Sequence, residues 1–233
     1  MMPAQLGQLA DIVQQPLEAY YADLLQEGQF LEEIAAATRG VPEFAQARLA
    51  NLDDFHFYRT LLYLMVRLQR PNHVVETGVL NGFGTAFLLL GLHHNGFGQL
   101  HSIDIPPEDP RILAQGTRLL PLGKSPGWTV PQRLRNRWDL HLADCRVALP
   151  RLLDQLGGCD LFIHDSDHSY THMMFEMGLA HSYLPTGAWM IVDNIEENNS
   201  FSDFCRATGE HHGSLISRTS AQGTWTHGLL RKG

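Results

Sequence analysis

The chain has 233 residues, of which 44% are hydrophobic, and its formal net charge at pH 7 is -8. This length and apolar content suffice for one sizeable core, so we expect one main domain with an appendage. The negative charge argues against a protein that binds nucleic acid mainly through its phosphates, and no apolar run is long enough to span a bilayer.

Residues 1–52 show helical spacing of apolar residues and contain no chemical motif. A helical pattern runs over Gln5–Leu25, and Pro16 is expected to break it. Two further short helices are predicted over Phe30–Ala37 and Pro42–Leu49. We therefore interpret this segment as a helical cap or arm, with a homodimer through these helices as one expectation, and residues 53–233 as the main domain.

From Phe55 onward, helices and strands alternate. The predicted helices are Phe55–Leu68, Gly84–Leu92, Ala148–Leu156 and Tyr170–Tyr183. The predicted strands are Val74–Val75, Leu100–Ile103, Asp139–Leu142, Leu161–His164 and Ala188–Val192, followed by two β segments on either side of residues 221–223. This alternation predicts an α/β fold, with a mostly parallel, doubly wound sheet that has helices on both faces. The insertion Pro106–Arg137 is long, and such a loop in a compact domain is usually functional or mobile.

An acid and two glycines follow the first predicted strand, in the sequence VVETGVLNGFG of residues 74–84. Gly78 lets the chain turn without a Cβ, and Gly82 lets the backbone approach a ligand closely. A pyrophosphate-binding G-x-G-x-x-G motif is absent, and the Glu76 carboxylate suits a cationic head such as an ammonium or a sulfonium. Asp104, at the end of the next strand, can accept two hydroxyls of a ribose. The alternative is a tight strand-to-helix turn that binds nothing.

These features resemble the first motif of the class I S-adenosylmethionine-dependent methyltransferases. The resemblance implies S-adenosylmethionine as the cofactor and a Rossmann-like, seven-stranded sheet whose C-terminal hairpin forms an antiparallel edge. It also implies that Asp144, after the strand Asp139–Leu142, binds the adenine amino group, with the backbone of Cys145 beside it.

Side chains with oxygen ligands follow the next two predicted strands. Asp165 comes after Leu161–His164, whereas Asp193 and Asn194 come after Ala188–Val192. Residues just past adjacent strand ends converge on one crevice in an open α/β sheet. Oxygens of this kind suit a divalent cation such as Mg²⁺ or Ca²⁺. The alternative is a helix cap, which Asp and Asn both favour.

This set of residues resembles the divalent-metal-dependent O-methyltransferases of the catechol and caffeoyl-CoA type, in which D-x-x-K and D-N motifs hold the ion. The first motif here is Asp165-Ser-Asp-His168, so that His168 stands where that family has lysine. The stretch HDSDHSY also resembles bacterial enzymes that methylate sugar hydroxyls of natural products. The resemblance covers Asn72–Ile195 and implies methyl transfer to a hydroxyl of a small molecule. His168 would be the general base, or else a solvent-facing residue in the first turn of a helix.

Two other functions stay open at this point. An NAD(P)-dependent oxidoreductase lacks support, because the phosphate-binding motif is missing and Glu76 would repel a pyrophosphate. A non-catalytic cofactor-binding or scaffold protein would not need the polar groups at adjacent strand ends. Three cysteines without metal-ligand spacing indicate free thiols in a reducing compartment, and the N-terminus has no signal-peptide pattern. We therefore expect a cytoplasmic protein that binds neither nucleic acid nor membrane.

Overall fold

A computed structural model describes residues 2–45, 47, 49, 51–114, 119–220 and 223–233. The helices are α1 (Met2–Val13), α2 (Glu18–Leu25), α3 (Gly28–Thr38), α4 (Phe57–Gln69), α5 (Phe83–Asn95), α6 (Pro110–Ala114), α7 (Cys145–Leu156), α8 (Tyr170–Tyr183) and α9 (Ser200–Thr208). The strands are β1 (His73–Thr77), β2 (Gln99–Asp104), β3 (Trp138–Leu142), β4 (Leu161–His164), β5 (Trp189–Val192), β6 (His211–Ser220) and β7 (Gly223–Arg231). Short 3-10 helices cover Pro42–Phe44, Leu52–Asp54 and Gln132–Arg137.

The seven strands form one sheet in the order β3-β2-β1-β4-β5-β7-β6. Strands β1 to β5 pair in parallel, and β7 pairs antiparallel with both β5 and β6. This arrangement confirms the predicted fold class, including the antiparallel C-terminal edge. The chain leaves β1 towards β2 on one side and returns to β4 on the other, so the gap between β1 and β4 is the point where ligands bind in such sheets.

Strand register decides which residues meet at the carboxyl edge of the sheet. Thr77, at the end of β1, pairs with Ile103 of β2 and with His164 of β4, and His164 pairs with Val192 of β5. The residues that follow these four are therefore aligned along the carboxyl edge of the sheet. They are Gly78, Asp104, Asp165 and Asp193.

The two faces of the sheet have separate apolar cores. Alternate strand residues point to opposite faces, as Val74 and Val75 of β1 do. Val74 belongs to the core under α1 to α5, whereas Val75 belongs to the core under α7, α8 and α9. The sheet is thus buried on both sides, which explains the nearly continuous apolar character of β4 and β5.

The N-terminal helices α1, α2 and α3 pack on the first of these cores. Leu9, Phe30 and Ile34 are fully buried there, and the expected break before α2 is present. The helix predicted over Pro42–Leu49 is wrong in its described part, because only the 3-10 turn Pro42–Phe44 forms. The division at residue 52 and the homodimer stay predictions, and the apolar faces of these helices are used within the chain.

The insertion between β2 and β3 contains α6 and the 3-10 helix Gln132–Arg137, neither of which the sequence pattern indicated. Its later part packs back onto the loop after β1, since the amide of Gly127 donates to the carbonyl oxygen of Leu80 at 2.9 Å. The sequence pattern also did not indicate α9. Residues 221 and 222, in the predicted turn of the C-terminal hairpin, lie outside the described residues. Among the described helices, none combines the length and apolar character needed to cross a membrane.

Candidate active site

A cavity of about 670 Å³ lies at the carboxyl edge of the sheet, above the point where the strand order reverses. Its volume is in the range of small-molecule sites. It is lined by nine of the predicted site residues: Glu76, Gly78, Gly82, Asp104, Asp144, Cys145, Asp165, His168 and Asp193. The tenth, Asn194, is not among the described residues that line it.

Glu76 is buried at the end of β1, with 2% of its surface exposed. The hydroxyl of Thr85 donates to its carboxylate at 2.9 Å, and the hydroxyl of Ser102 donates at 2.6 Å. Burial raises the pKa of Glu76 to about 7, while these hydrogen bonds oppose the shift. Glu76 therefore changes its charge near neutral pH, and a cationic ligand beside it would favour its ionised form.

The backbone angles and the nearby backbone atoms explain why the two positions after β1 are glycines. Gly78 has φ +85°, and an added Cβ would collide with the carbonyl oxygen of Asp165. Gly82 has φ +91°, and its added Cβ would lie 2.6 Å from Cα of Gly127. Close approach of the chain to itself thus explains both glycines, and the predicted close approach of a ligand is not needed to explain Gly82.

Asp104 ends β2 and holds the loop that follows β1. One of its oxygens accepts from the amides of Val79 at 3.2 Å and Leu80 at 2.8 Å, and the other accepts from Ile105 at 2.8 Å. Burial raises its pKa, and these backbone hydrogen bonds oppose the shift. A carboxylate has about four acceptor positions, so one remains for a ribose hydroxyl while the loop stays in place.

Asp144 lies at the rim of the cavity as the N-cap of α7, and its oxygens are already engaged. It accepts from the amide of Arg146 at 2.9 Å and forms ion pairs with the side chains of Arg146 and Arg111. Hydrogen bonds from Arg146 and Arg111 hold its pKa below the usual range. An adenine amino group would have to share this carboxylate with two guanidinium groups. The neighbouring Cys145 is buried, and burial raises the pKa of its thiol.

Asp165, His168 and Asp193 converge in the cavity, with one potential ligand atom of each lying within 4.8 Å of the others. Burial and the neighbouring Asp193 raise the pKa of Asp165 well above its usual value. Burial alone would also raise the pKa of Asp193, but contact with His227 outweighs it and lowers that pKa. Of the two neighbouring carboxyls, Asp165 is therefore the one that is more readily protonated.

This group of three residues fits a divalent cation. A cation would relieve the repulsion between the neighbouring carboxylates of Asp165 and Asp193. Nε2 of His168 is also buried and has no hydrogen-bond partner among the described residues. Burial lowers the pKa of His168, so the ring is neutral near pH 7 and free to bind a metal or accept a proton.

The structure does not bring Asn194 to this group. Asn194 has the left-handed backbone angle φ +51°, and it is not among the described residues that line the cavity. Its side-chain amide donates to Glu197 at 3.2 Å. The metal site of Asp165, Asp193 and Asn194 therefore stays a prediction, and the group that the structure shows to converge is Asp165, Asp193 and His168.

His227 contacts the site, and no sequence pattern indicated it. It lies on β7 with Nδ1 2.5 Å from Oδ1 of Asp193, and its other ring nitrogen lies 2.5 Å from the hydroxyl of Ser217. Its ring stacks on Tyr58 at 4.3 Å between centroids. The order Ser, His, Asp is that of hydrolytic triads. However, Ser217 is buried and is not among the described residues lining the cavity, so it is not placed to attack a substrate. We interpret Ser217 and His227 as residues that position Asp193.

A second residue without a sequence signal is Glu176 of α8, which is fully buried beneath the cavity. It accepts hydrogen bonds at 2.6 to 2.9 Å from Thr77, His164, Ser166 and His172. Its ligand atom also lies close to those of Cys145 and His172, which could together hold a metal. With four donors its oxygens are saturated, so we interpret Glu176 as a structural anion that ties β1 and β4 to α8.

Comparison with known proteins agrees with this architecture. The family model described as "Methyltransferase domain" matches residues 75–195, which is more than half of the chain. This stretch contains the last three residues of β1, all of β2 to β5 and all of the predicted site residues. None of the curated proteins matches the sequence.

Several solved structures share the fold. The O-methyltransferase TomG from Streptomyces achromogenes, involved in tomaymycin synthesis and solved with S-adenosylmethionine, is 16% identical with a TM-score of 0.59; the match covers 87% of this chain and 90% of that chain. An O-methyltransferase from Bacillus cereus, solved with S-adenosylhomocysteine, is 14% identical with a TM-score of 0.56; the match covers 88% and 91%. A Podospora anserina methyltransferase bound to S-adenosylhomocysteine is 11% identical with a TM-score of 0.56; the match covers 88% and 87%. At these identities the likeness shows the fold.

Proposed function

The chain belongs to the methyltransferase domain family, and from this membership we propose that it transfers a methyl group from S-adenosylmethionine to a hydroxyl of a small molecule. The observation that carries the proposal is the row of acids at the carboxyl edge. Glu76, Asp104, Asp165 and Asp193 end four neighbouring strands and line one cavity. A methyl donor with a cationic head and a ribose needs acids in these positions.

We assign the cofactor to the part of the cavity formed after β1, β2 and β3. Glu76 faces the amino-acid head, and Asp104 offers its remaining acceptor position to the ribose. Asp144 and the backbone of Cys145 border the adenine. When bound, S-adenosylmethionine supplies the methyl group from its sulfonium and leaves as S-adenosylhomocysteine. Gly78, in the loop after β1, keeps the backbone close to Asp165, and this supports a cofactor end of the cavity next to the acid pair.

We assign a divalent cation, such as Mg²⁺ or Ca²⁺, to Asp165 and Asp193. When bound, the ion supplies positive charge that lowers the pKa of an acceptor hydroxyl and orients it. Carboxylates suit these hard ions, whereas an imidazole suits softer ones. This preference leaves His168 outside the ligand set when the ion is Mg²⁺ or Ca²⁺.

His168 then acts as the general base. One of its ring nitrogens lies within 4.8 Å of ligand oxygens of Asp165 and Asp193, its Nε2 has no hydrogen-bond partner among the described residues, and burial lowers its pKa. A neutral ring at this position accepts the proton of the acceptor hydroxyl as the oxygen takes the methyl group. His227 keeps Asp193 ionised and oriented throughout.

For the acceptor, we propose a catechol, sugar or other natural-product hydroxyl. Support comes from the HDSDHSY stretch, which resembles bacterial enzymes that methylate sugar hydroxyls of natural products. TomG, a protein of similar fold, is an O-methyltransferase involved in tomaymycin synthesis. The family match does not support an NAD(P)-dependent oxidoreductase. The carboxylate of Glu76, which lines the cavity, would also repel the pyrophosphate of such a cofactor. A cytoplasmic location without nucleic-acid or membrane partners also stays a proposal.

Isothermal calorimetry with S-adenosylhomocysteine and with NADH tests the cofactor. We expect binding of the first ligand only, and binding of NADH alone would overturn the proposal. Methyl transfer to a panel of catechols and sugars, followed as S-adenosylhomocysteine release, tests the reaction. EDTA should abolish the transfer and Mg²⁺ should restore it. Asp193→Asn should lose the metal dependence and keep cofactor affinity, while the exposed Asp11→Asn serves as the matched control.

A further inference from the structure

The amino-acid head of S-adenosylmethionine carries a carboxylate and an ammonium on the same carbon atom. Glu76 can serve the ammonium, but no acid can serve the carboxylate. A desolvated carboxylate without a partner is costly, and a cation close to Glu76 would be a strong partner for it.

Among the described residues, three arginines line the cavity: Arg59, Arg111 and Arg146. Arg111 and Arg146 form ion pairs with Asp144 at the adenine end, at 2.5 and 2.8 Å. Arg59 takes part in no ion pair with any residue that the structure describes. Its guanidinium is thus the cavity arginine available to an anion from outside the protein.

Arg59 also lies at the right end of the cavity. It is in the first turn of α4, one helical turn before Leu62 on the same face of the helix. Leu62 reaches Gly84, where its Cδ1 lies 3.2 Å from the position of an added Cβ, and Oε1 of Glu76 lies 3.6 Å from that same position. This face of α4 therefore runs alongside Glu76.

The electrostatics agree with this placement. Burial raises the pKa of both Glu76 and Asp165, and the positive charge of Arg59 is among the groups that oppose the shift. The guanidinium carbon lies 4.9 Å from the centroid of the Tyr58 ring, a side chain that is itself buried. A stacked guanidinium keeps its direction and loses less freedom when it binds a carboxylate.

We propose that Arg59 binds the carboxylate of the amino-acid head of S-adenosylmethionine, opposite Glu76. This inference rests on the proposed function, and it adds a ligand-binding residue outside every predicted motif. It also gives the cavity a matched pair of opposite charges for the zwitterionic head. Arg59 lies in the N-terminal half of the chain, before the stretch that the family model matches.

The test measures calorimetric affinities for two ligands that differ only in this group: S-adenosylhomocysteine and its decarboxylated analogue. Arg59→Met should lower the affinity for S-adenosylhomocysteine by about 10- to 100-fold, as expected for a charge-assisted hydrogen-bonded pair. The same variant should bind the decarboxylated analogue as the wild type does. Arg59→Lys should recover part of the loss. Arg218→Met, which removes an arginine outside the described lining of the cavity, is the matched control.

Each outcome decides one question. Equal losses for both ligands would overturn the inference, because Arg59 would then act through the fold or through the charge of the acid pair. Unchanged affinity for S-adenosylhomocysteine would also overturn it and would leave the guanidinium for an anionic group of the acceptor. Failure of the wild type to bind either ligand would instead defeat the proposed function. Both ligands are measured at the same Mg²⁺ concentration, so any change in metal binding cancels in the comparison.

Discussion

Nδ1 of His227 lies 2.5 Å from Oδ1 of Asp193, which joins the end of β5 to the antiparallel strand β7. This contact keeps the pKa of Asp193 low although the side chain is buried. The pKa of the neighbouring Asp165 instead rises, through burial and the charge of Asp193, so the two carboxyls of the acid pair differ in how readily they ionise. The antiparallel edge of the sheet therefore contributes directly to the site.

Replacing His227 with Gln should raise the pKa of Asp193, because the partner that offsets burial is gone. The carboxylate would then be protonated at higher pH, and affinity for a divalent ion should fall as the pH is lowered from neutral. Below the raised pKa, we expect a loss approaching tenfold for each unit by which the pH falls. Mn²⁺ titrations at several pH values measure this, with the exposed His212→Gln as control. An unchanged pH profile would remove His227 from the site.

Glu76 should make cofactor binding depend on pH. Its pKa of about 7 means that the carboxylate is neutral at lower pH and cannot serve an ammonium. Affinity for S-adenosylhomocysteine should therefore rise as the pH increases through 7, approaching tenfold per unit on the acid side. Calorimetry across this range checks the slope. Glu76→Gln should bind weakly and without this dependence, and a variant that keeps the slope would assign it to another group.

Asp104→Asn should lower the affinity for S-adenosylhomocysteine by at least about tenfold, since a charge-assisted hydrogen bond to the ribose is weakened. The variant also weakens the hold on the amides of Val79 and Leu80. Thermal unfolding of the ligand-free protein separates the two effects, and the exposed Asp139→Asn is the control. Full affinity in the variant would mean that Asp104 only fixes the loop.

His168→Ala should slow methyl transfer by roughly 10² to 10⁴ if the ring is the general base. Affinity for Mg²⁺ and for S-adenosylhomocysteine should stay as in the wild type. Loss of metal affinity would instead make His168 a third ligand beside Asp165 and Asp193, which its distance also permits. A rate loss below about tenfold with normal binding would assign the activation of the hydroxyl to the ion.

Glu176→Ala should reduce the free energy of unfolding by about 3–5 kcal/mol, because it leaves buried histidines without their anion. Burial opposes ionisation of Glu176, but hydrogen bonds from His164 and His172 lower its pKa. Its stabilising contribution is therefore lost as the pH falls through that low pKa. The hydrogen bond with Glu176 raises the pKa of His172, and the contribution of that histidine is lost as the pH rises through the raised value.

The difference between wild type and Glu176→Ala should consequently be largest between the unfolded-state pKa values of about 4.3 for Glu and about 6.5 for His. Urea unfolding at several pH values measures it, and the exposed Glu43→Ala is the control. A difference that does not vary with pH would point to packing alone.

Much of the site was predictable because its residues follow strands that are recognisable locally. Short apolar runs interrupted by Gly and acids identified the ends of β1, β2, β4 and β5. Parallel pairing then requires those ends to meet at one edge. The methyltransferase family and the mostly parallel sheet with its antiparallel edge, both expected from these motifs, are confirmed.

Other features depend on contacts between distant parts of the chain. The local sequence around Pro42–Leu49 fits a helix, yet only one 3-10 turn forms in its described part. Asn194 belongs to the expected dipeptide, but it has a left-handed backbone angle, its side-chain amide donates to Glu197, and it is not among the described residues that line the cavity. Backbone direction at a single residue is set by the packing around it, which a short motif does not encode.

The sequence by itself determined the alternation of helices and strands and the acids at the strand ends, because apolar periodicity and turn residues act over a few positions. Only the tertiary structure decided which side chains complete the site. Arg59 reaches it from the helix before β1, and His227 reaches it from the last strand. Their contacts depend on strand order, register and helix packing, and these are fixed by burial of the whole core rather than by any local pattern.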